Sequence, residues 1–274
     1  MLEARWAQSL FVCVGLDSTF DKIPMCLHRP GNETKVDIAN TIVAFNHQIV
    51  VATCDLVCAY KPNIAFYEEN GPEGIAALWR TIADIHVTAP DVPVILDAKR
   101  GDIGSTNHGY VELAFNFLGA DAMTIHPYFG AEANEPFLEQ TDKGIIVLCR
   151  TSNKGAGEFQ DLVMAGRPLY LHVAEHVAND WNTRGNCAVV VGATFPDELR
   201  KVRDVVGDMP ILIPGIGVQG GDVEKTVLAG KDSHGCGIII NSSRGIIYAS
   251  NGADFADVAR LKTMELSDQI NQYR

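Results

Sequence analysis

Eight short apolar runs alternate with stretches of helical spacing along 274 residues, and ionisable side chains gather just after the runs. That pattern predicts an α/β chain folded as a single-domain (β/α)8 TIM barrel over residues 1–274. Each run is rich in Val, Ile or Leu and bounded by Gly, Pro or a polar residue, as parallel strands buried on both faces are. A doubly wound open sheet would also alternate strand with helix. Its dinucleotide-binding form carries a Gly-rich turn after the first strand, and none follows here.

In chain order the runs are Phe11–Leu16, Leu56–Tyr60, Val94–Leu96, Ala122–Ile125, Ile145–Cys149, Cys187–Val191, Ile211–Ile213 and Gly237–Ile240. Between the first two, Thr34 to Thr53 sets Ile38, Ile42, Phe45 and Ile49 on one helical face. Pro72 opens the next helix, which sets Ile75, Leu78, Ile82 and Ile85 on one face and has Pro90 beyond its end. Leu162 to Trp181 and Pro196 to Val206 read as further helices. No linker or low-complexity tract divides the chain. The longest irregular stretch is Ser18 to Glu33, which contains Pro24, Pro30 and Gly31.

Apolar residues make up 47% of the chain, enough for a sizeable core, yet no uncharged run approaches the ~20 residues of a membrane span. Met1 to Leu10 carries Glu3 and Arg5 and lacks the apolar region of a signal peptide. Of seven cysteines, Cys13, Cys58, Cys149 and Cys187 fall inside strand-like runs. They read as small core residues in a reducing compartment, so the expected location is the cytoplasm. A net charge of −12 without a Lys/Arg cluster argues against nucleic acid or an anionic membrane as partner. An anionic small molecule would need a local positive pocket.

A barrel sets its chemistry at the C-terminal ends of its strands. Those ends carry Asp17, Lys61, Asp97 with Lys99, His126, Arg150 to Asn153, Gly192 to Thr194, Pro214 to Gln219 and Asn241 to Arg244. The densest is V-I-L-D-A-K-R-G-D-I-G-S-T at Val94–Thr106. Strand alternation points Asp97 and Lys99 the same way, and Gly101 breaks the strand so that Asp102 comes close on the loop. Unpaired buried charge costs several kcal/mol, so such groups pair with each other or act on a ligand. A structural ion pair at a strand end is the alternative. His126 either lines the pocket or is a hydrogen-bonded structural histidine.

The stretches after runs seven and eight read P-G-I-G-V-Q-G-G-D and N-S-S-R-G, the two places where barrels often hold a phosphate. Gly215, Gly217, Gly220 and Gly221 give a backbone that approaches an anion closely or moves as a lid. Arg244, read as opening the last helix, suits a bidentate phosphate pair.

D-A-K-R-G-D-I-G-S-T at Asp97–Thr106 resembles the signature of the orotidine 5′-phosphate decarboxylase family. So do G-L-D at Gly15–Asp17, Y-K-P-N at Tyr60–Asn63, T-S-N at Thr151–Asn153, the Pro214–Asp222 stretch and S-R-G at Ser243–Gly245. Spacings resemble the larger bacterial subgroup. The resemblance implies cofactor-free and metal-free decarboxylation of orotidine 5′-phosphate to UMP by a homodimer with shared active sites. It implies that Asp17 and Lys61 contact the ribose hydroxyls, that Lys61 also ties into the catalytic charged network with Asp97, Lys99 and Asp102, that Asp97 lies beside the substrate carboxylate and that Lys99 protonates C6. Asp102, Ile103 and Thr106 would come from the other subunit. Ser152 would meet the pyrimidine, Pro214 would precede the lid, and Gln219 would bridge base and phosphate. Ser243 and Arg244 would lie at the phosphate end, with Arg244 gripping the phosphate. Val218 departs from the small residue common in the lid.

An ammonium between two carboxylates is expected to stay charged, which suits proton donation and argues against a Schiff-base lysine. Two other functions remain open: a magnesium-dependent sugar-phosphate decarboxylase or synthase with Asp97 as ligand, and a non-catalytic phosphate-binding barrel. His172, Glu175 and His176 match the zinc pattern H-x-x-E-H, but the stretch is expected on an outer helix away from the strand ends.

Overall fold

The computed structural model describes residues 1–31, 34–216 and 220–274. Eight parallel strands form one sheet: β1 (Val12–Gly15), β2 (Val57–Lys61), β3 (Ile95–Arg100), β4 (Ala122–Ile125), β5 (Gly144–Arg150), β6 (Cys187–Val191), β7 (Ile211–Pro214) and β8 (Ile238–Ser242). The order β2-β1-β8-β7-β6-β5-β4-β3 brings β2 and β3 to the two ends, and they meet. Parallel bridges Tyr60–Val94 and Asn63–Asp97 close the seam, with the Asp97 amide donating to the Pro62 carbonyl at 2.9 Å. Pro62 has no N–H to give in return, so the seam is bridged rather than continuously laddered. The predicted (β/α)8 barrel is the fold found.

Each strand is followed by a helix on the outside. These are α1 (Lys35–Thr53), α2 (Pro72–Thr88), α3 (Gly104–Val111), α4 (Gly130–Leu138), α5 (Leu169–His176), α6 (Pro196–Val206), α7 (Val223–Gly230) and α8 (Phe255–Tyr273). A capping box between Thr34 and Asp37 starts α1, and Pro72 occupies the first turn of α2, where its missing N–H costs nothing. Ile42, Phe45 and Ile49 are fully buried, as are Leu78, Ile82 and Ile85. Each such side chain stabilises the fold by about 1.5–3 kcal/mol. Phe45 also stacks on Phe255 at 5.2 Å, tying α1 to α8. Both helix faces are the ones the spacing predicts, with Ile38 and Ile75 at their margins.

The helix expected over Leu162–Trp181 begins only at Leu169 and continues through a π-turn over Val177–Trp181. Ahead of it, Val163–Met164 and Arg167–Pro168 form a small hairpin. Its two turn residues, Ala165 and Gly166, both have positive φ, the geometry that joins tight antiparallel strands. Arg244 likewise does not open the last helix. It opens a separate short one, Arg244–Ile247, and α8 follows only from Phe255. Within Ser18–Glu33 lie two single 3-10 turns, Phe20–Lys22 and Met25–Leu27; Asn32 and Glu33 fall outside the described residues.

All seven cysteines are free, and the four in strand runs are buried. Burial pushes the Cys13 and Cys149 thiols up to about 12. They behave as small apolar residues. No helix among the described residues is long and apolar enough to cross a membrane.

Candidate active site at the barrel mouth

All eight strands contribute to a cavity of about 260 Å³ at their C-terminal ends. Asp17 enters from the loop after β1, Lys61 and Asn63 from β2, Asp97 and Lys99 from β3, and Thr124 from β4. Leu148 and Ser152, Val190, and Leu212 with Pro214 follow from β5, β6 and β7, and Asn241 through Arg244 complete the ring from β8. Sequence-predicted residues from opposite ends of the chain thus share one cavity.

Asp97 is its electrostatic centre. It is 7% exposed, and its Oδ2 accepts from the Lys61 ammonium at 2.8 Å. Its Oδ1 accepts from Lys99 Nζ at 2.5 Å and from the Thr124 hydroxyl at 2.9 Å. Burial acts to raise the Asp97 carboxyl, but the two ammoniums outweigh it and hold the group well below the usual carboxylate range. Burial likewise acts to lower Lys61, only 3% exposed. The Asp97 and Asp17 carboxylates overcome that and leave Lys61 above its ordinary value. Both groups are therefore charged at neutral pH.

Simple strand alternation does not account for how Asp97 and Lys99 come to face the cavity together. Leu96 pairs with Met123 and Arg100 with Ile125, so three β3 residues stand opposite the single Thr124. Lys99 takes φ +48°, a left-handed conformation that costs a non-glycine residue about 1–3 kcal/mol. The strand kinks at Lys99, ahead of the break expected at Gly101. Gly101 itself leaves room for the His126 ring, which would have to move away from a Cβ there. His126 Nε2 lies 3.1 Å from the Gly101 carbonyl, so this histidine supports the loop and does not line the cavity.

Asp102, Ile103 and Thr106 are not brought to this chain's own cavity. Asp102 accepts from the Ile103 amide at 2.7 Å, and its backbone is pinned on both sides by the buried Asn107. Ile103 is 62% exposed, and Thr106 is exposed as well. Among the described residues of one chain, Lys99 therefore has one carboxylate partner, Asp97, rather than the two expected.

At the other end of the cavity, Gly15 leaves room for Ser243, whose side chain would collide with any Cβ there. Gly192 does the same for Ser152, with a Cβ placed 2.6 Å from the serine Cβ. Pro214 ends β7, and Gly215 follows with φ 105°. Arg244 is exposed and lines the cavity. Gln219 lies outside the described residues, as do Gly217 and Val218.

Among the described residues, two acceptors in the cavity wall have no donor: Asp17 Oδ1 and the Oδ1 of Asn241, which is 6% exposed. A ligand hydroxyl or N–H would satisfy them. The loop carrying Asp17 is itself held rigidly. Tyr248 accepts from the Thr19 amide and donates to the Asp17 carbonyl, and a buried Ser18–Asn46–Tyr67–Thr81 network lies behind it.

Asn241, Thr124, Asn46 and Asn107 carry no role in the sequence reading. Asn241 falls within a strand end; a polar residue inside an apolar stretch marks Thr124 and Asn46, whereas Asn107, in G-S-T-N-H-G, carries no such signal. The H-x-x-E-H group disperses: His172 bonds the Met164 carbonyl, Glu175 pairs with Arg167, and His176 with Asp180. Among the described residues no cluster of three or more His, Cys, Asp or Glu is arranged to hold a metal.

Residues 12–257 match the sequence model described as Orotidine 5′-phosphate decarboxylase / HUMPS family. The chain belongs to that family. An orotidine 5′-phosphate decarboxylase of Ralstonia nicotianae is 51% identical over 274 residues, covering all of this chain and 97% of the relative. Among solved structures, the OMP decarboxylase of Leishmania donovani superposes with a TM-score of 0.82 at 37% identity, covering 98% of this chain and 97% of that one. The UMP synthase of Leishmania donovani gives 0.87 at 39% identity; the match takes in all of this chain and 55% of that longer protein. Family membership therefore extends over the whole barrel, from β1 to α8.

Proposed function

We propose that this chain decarboxylates orotidine 5′-phosphate to UMP in pyrimidine biosynthesis, without a cofactor, and that it does so in the cytoplasm as a homodimer with shared sites. The observation that carries the reading is the Lys61–Asp97–Lys99 network at a cavity framed by family motifs.

In this reading the bond from C6 to the substrate carboxylate breaks, the electron pair stays on C6, and CO2 leaves. The Lys99 ammonium gives its proton to C6 to form UMP, and the neutral amine regains a proton from solvent. Asp97 points Lys99 at C6 and sits beside the departing carboxylate. Two charges ~4 Å apart at an effective dielectric near 20 repel by about 4 kcal/mol. Enzymes lower barriers by about 8–23 kcal/mol, so repulsion is the smaller share. Stabilisation of the C6 anion by Lys99, and phosphate binding used to close the site against water, supply the larger one.

Asp17, with its free Oδ1, and Lys61 would take the ribose hydroxyls; Ser152 would meet the base. Pro214, Gln219, Ser243 and Arg244 would form the phosphate end. Asp102, Ile103 and Thr106 would reach the neighbouring subunit's cavity. Their absence from their own cavity supports this role, as do exposed Ile103, Tyr128 and Phe129 on the loops after β3 and β4.

A magnesium-dependent sugar-phosphate enzyme fits less well. A dication at Asp97 would face two ammoniums already bonded there, and the end of β2 offers Lys61 where a hard oxygen ligand would serve. A non-catalytic barrel is disfavoured by the decarboxylase names of the relatives at about half identity. The test is a spectrophotometric assay of orotidine 5′-phosphate with and without EDTA. Turnover unaffected by chelator is expected; turnover lost to EDTA, or none at all, overturns the reading.

A further inference from the structure

We infer that Thr124 is a positioning residue for the reaction, its single hydroxyl setting both the backbone of Lys99 and the carboxylate of Asp97. This rests on the decarboxylase reading and adds to it a residue on β4.

The inference starts from the irregular register between β3 and β4. Where Asp97, Ala98 and Lys99 bulge against Thr124, the regular ladder cannot supply an acceptor for the Lys99 amide. The Thr124 hydroxyl takes that place, accepting from Lys99 N–H at 2.9 Å. The same hydroxyl donates its hydrogen to Asp97 Oδ1 at 2.9 Å. Thr124 is 1% exposed, so no bulk water competes for either bond. With Lys99 Nζ on the same Oδ1, the contacts form a closed ring: amide to hydroxyl, hydroxyl to carboxylate, carboxylate to ammonium.

The ring has two consequences. It holds Lys99 at φ +48°, and that kink aims the ammonium into the cavity beside Asp97. It also keeps Oδ1 hydrogen-bonded once Lys99 has given its proton to C6. At that moment the amine no longer presents a full charge to the carboxylate, but the hydroxyl bond persists and Asp97 stays in place. A β-branched residue suits the strand, and of the β-branched residues only threonine also brings a hydroxyl.

The test compares Thr124→Val, which keeps the shape and removes the hydroxyl, with Thr124→Ser, which keeps the hydroxyl, and Thr124→Ala. For each folded variant, kcat, KM and the Kd for UMP are measured beside wild type. A displaced ammonium costs on the order of 10–100-fold in kcat. The expected result is a loss of that size in Thr124→Val and Thr124→Ala, UMP affinity held within about threefold, and kcat largely recovered in Thr124→Ser. Unchanged kcat in the variants lacking the hydroxyl overturns the inference. So does a serine variant as impaired as valine, or a UMP affinity that falls in step with kcat, which is a structural role. A wild type that fails to turn over orotidine 5′-phosphate overturns the functional reading and this inference together; an active wild type matched by Thr124→Val overturns this inference alone.

Discussion

Lys61 and Asp97 form an ion pair at 2.8 Å across the β2–β3 seam that closes the barrel, and each is almost wholly withdrawn from water. The pair joins fold to site: the strands that must meet to complete the barrel are the ones that carry the charges. Breaking it by Asp97→Asn takes from buried Lys61 the carboxylate bonded to it and leaves only the Asp17 charge nearby, a loss of up to about 3–5 kcal/mol in stability at neutral pH.

The pH dependence of that loss has a definite sign. The Asp97 carboxyl is depressed in the folded chain, so its stabilisation is present above the ordinary carboxylate value of ~3.9 and fades as pH falls below it. Lys61 is raised, so its share is present up to the ordinary lysine value of ~10.4 and fades above that as pH rises through the folded value. Unfolding midpoints of wild type and Asp97→Asn should therefore differ by a constant amount between about pH 5 and 9, with the gap shrinking below pH 4. A gap that persists undiminished into strong acid refutes the assignment.

Lys99 is different in kind from Lys61. Its side chain is 46% exposed, so Lys99→Ala removes the proposed proton donor without leaving an empty space in the core. The expected outcome is loss of decarboxylation with an unfolding midpoint close to wild type and UMP binding retained. Measurable turnover at C6 would remove Lys99 from its role.

Much of this site is visible in the chain itself, because a buried parallel strand is a short apolar run and the first charged residue after it marks the mouth. Asp17, Lys61 and Asp97 follow that rule directly. Lys99 does so for a different reason from the one alternation suggests, since its placement depends on a left-handed residue and a bulge that no periodicity encodes. Thr124 and Asn241 stayed hidden because a threonine in a β-branched run reads as a strand former, and an asparagine after Ile238–Ile240 reads as the strand's end. The segment from Leu162 to Pro168 reads as helix because its apolar residues, Leu162, Val163 and Met164, continue the spacing of the true helix behind them. They are exposed, which sequence spacing does not report.

Asp102 tests the shared-site arrangement. If Lys99 of one subunit works with Asp102 of its neighbour, Lys99→Ala and Asp102→Ala chains are each inactive alone, yet a mixed dimer holds one site with both wild-type residues. Random mixing in equal amounts then restores up to about a quarter of wild-type sites in a two-fold dimer. The measurement is activity after co-refolding or co-expression, with dimer formation checked separately. Mixed dimers that form and remain inactive place Asp102 in its own chain's site or outside the chemistry.

Arg244 makes the last case, because its proposed task is phosphate binding at a distance from the reacting carbon. It lines the cavity at the β8 end, next to Ser243 and Gly245. A guanidinium on a phosphate is charge-assisted and bidentate, and truncating one partner of such a pair costs about 2–4 kcal/mol. Arg244→Ala should therefore raise KM and lower kcat/KM by roughly 30–1000-fold, at about tenfold per 1.4 kcal/mol. The control is orotidine, which lacks the phosphate: wild type and Arg244→Ala should handle it alike, since the removed contact has nothing to hold. Equal losses on both substrates would move the phosphate elsewhere in the cavity and leave Arg244 a role on the nucleoside.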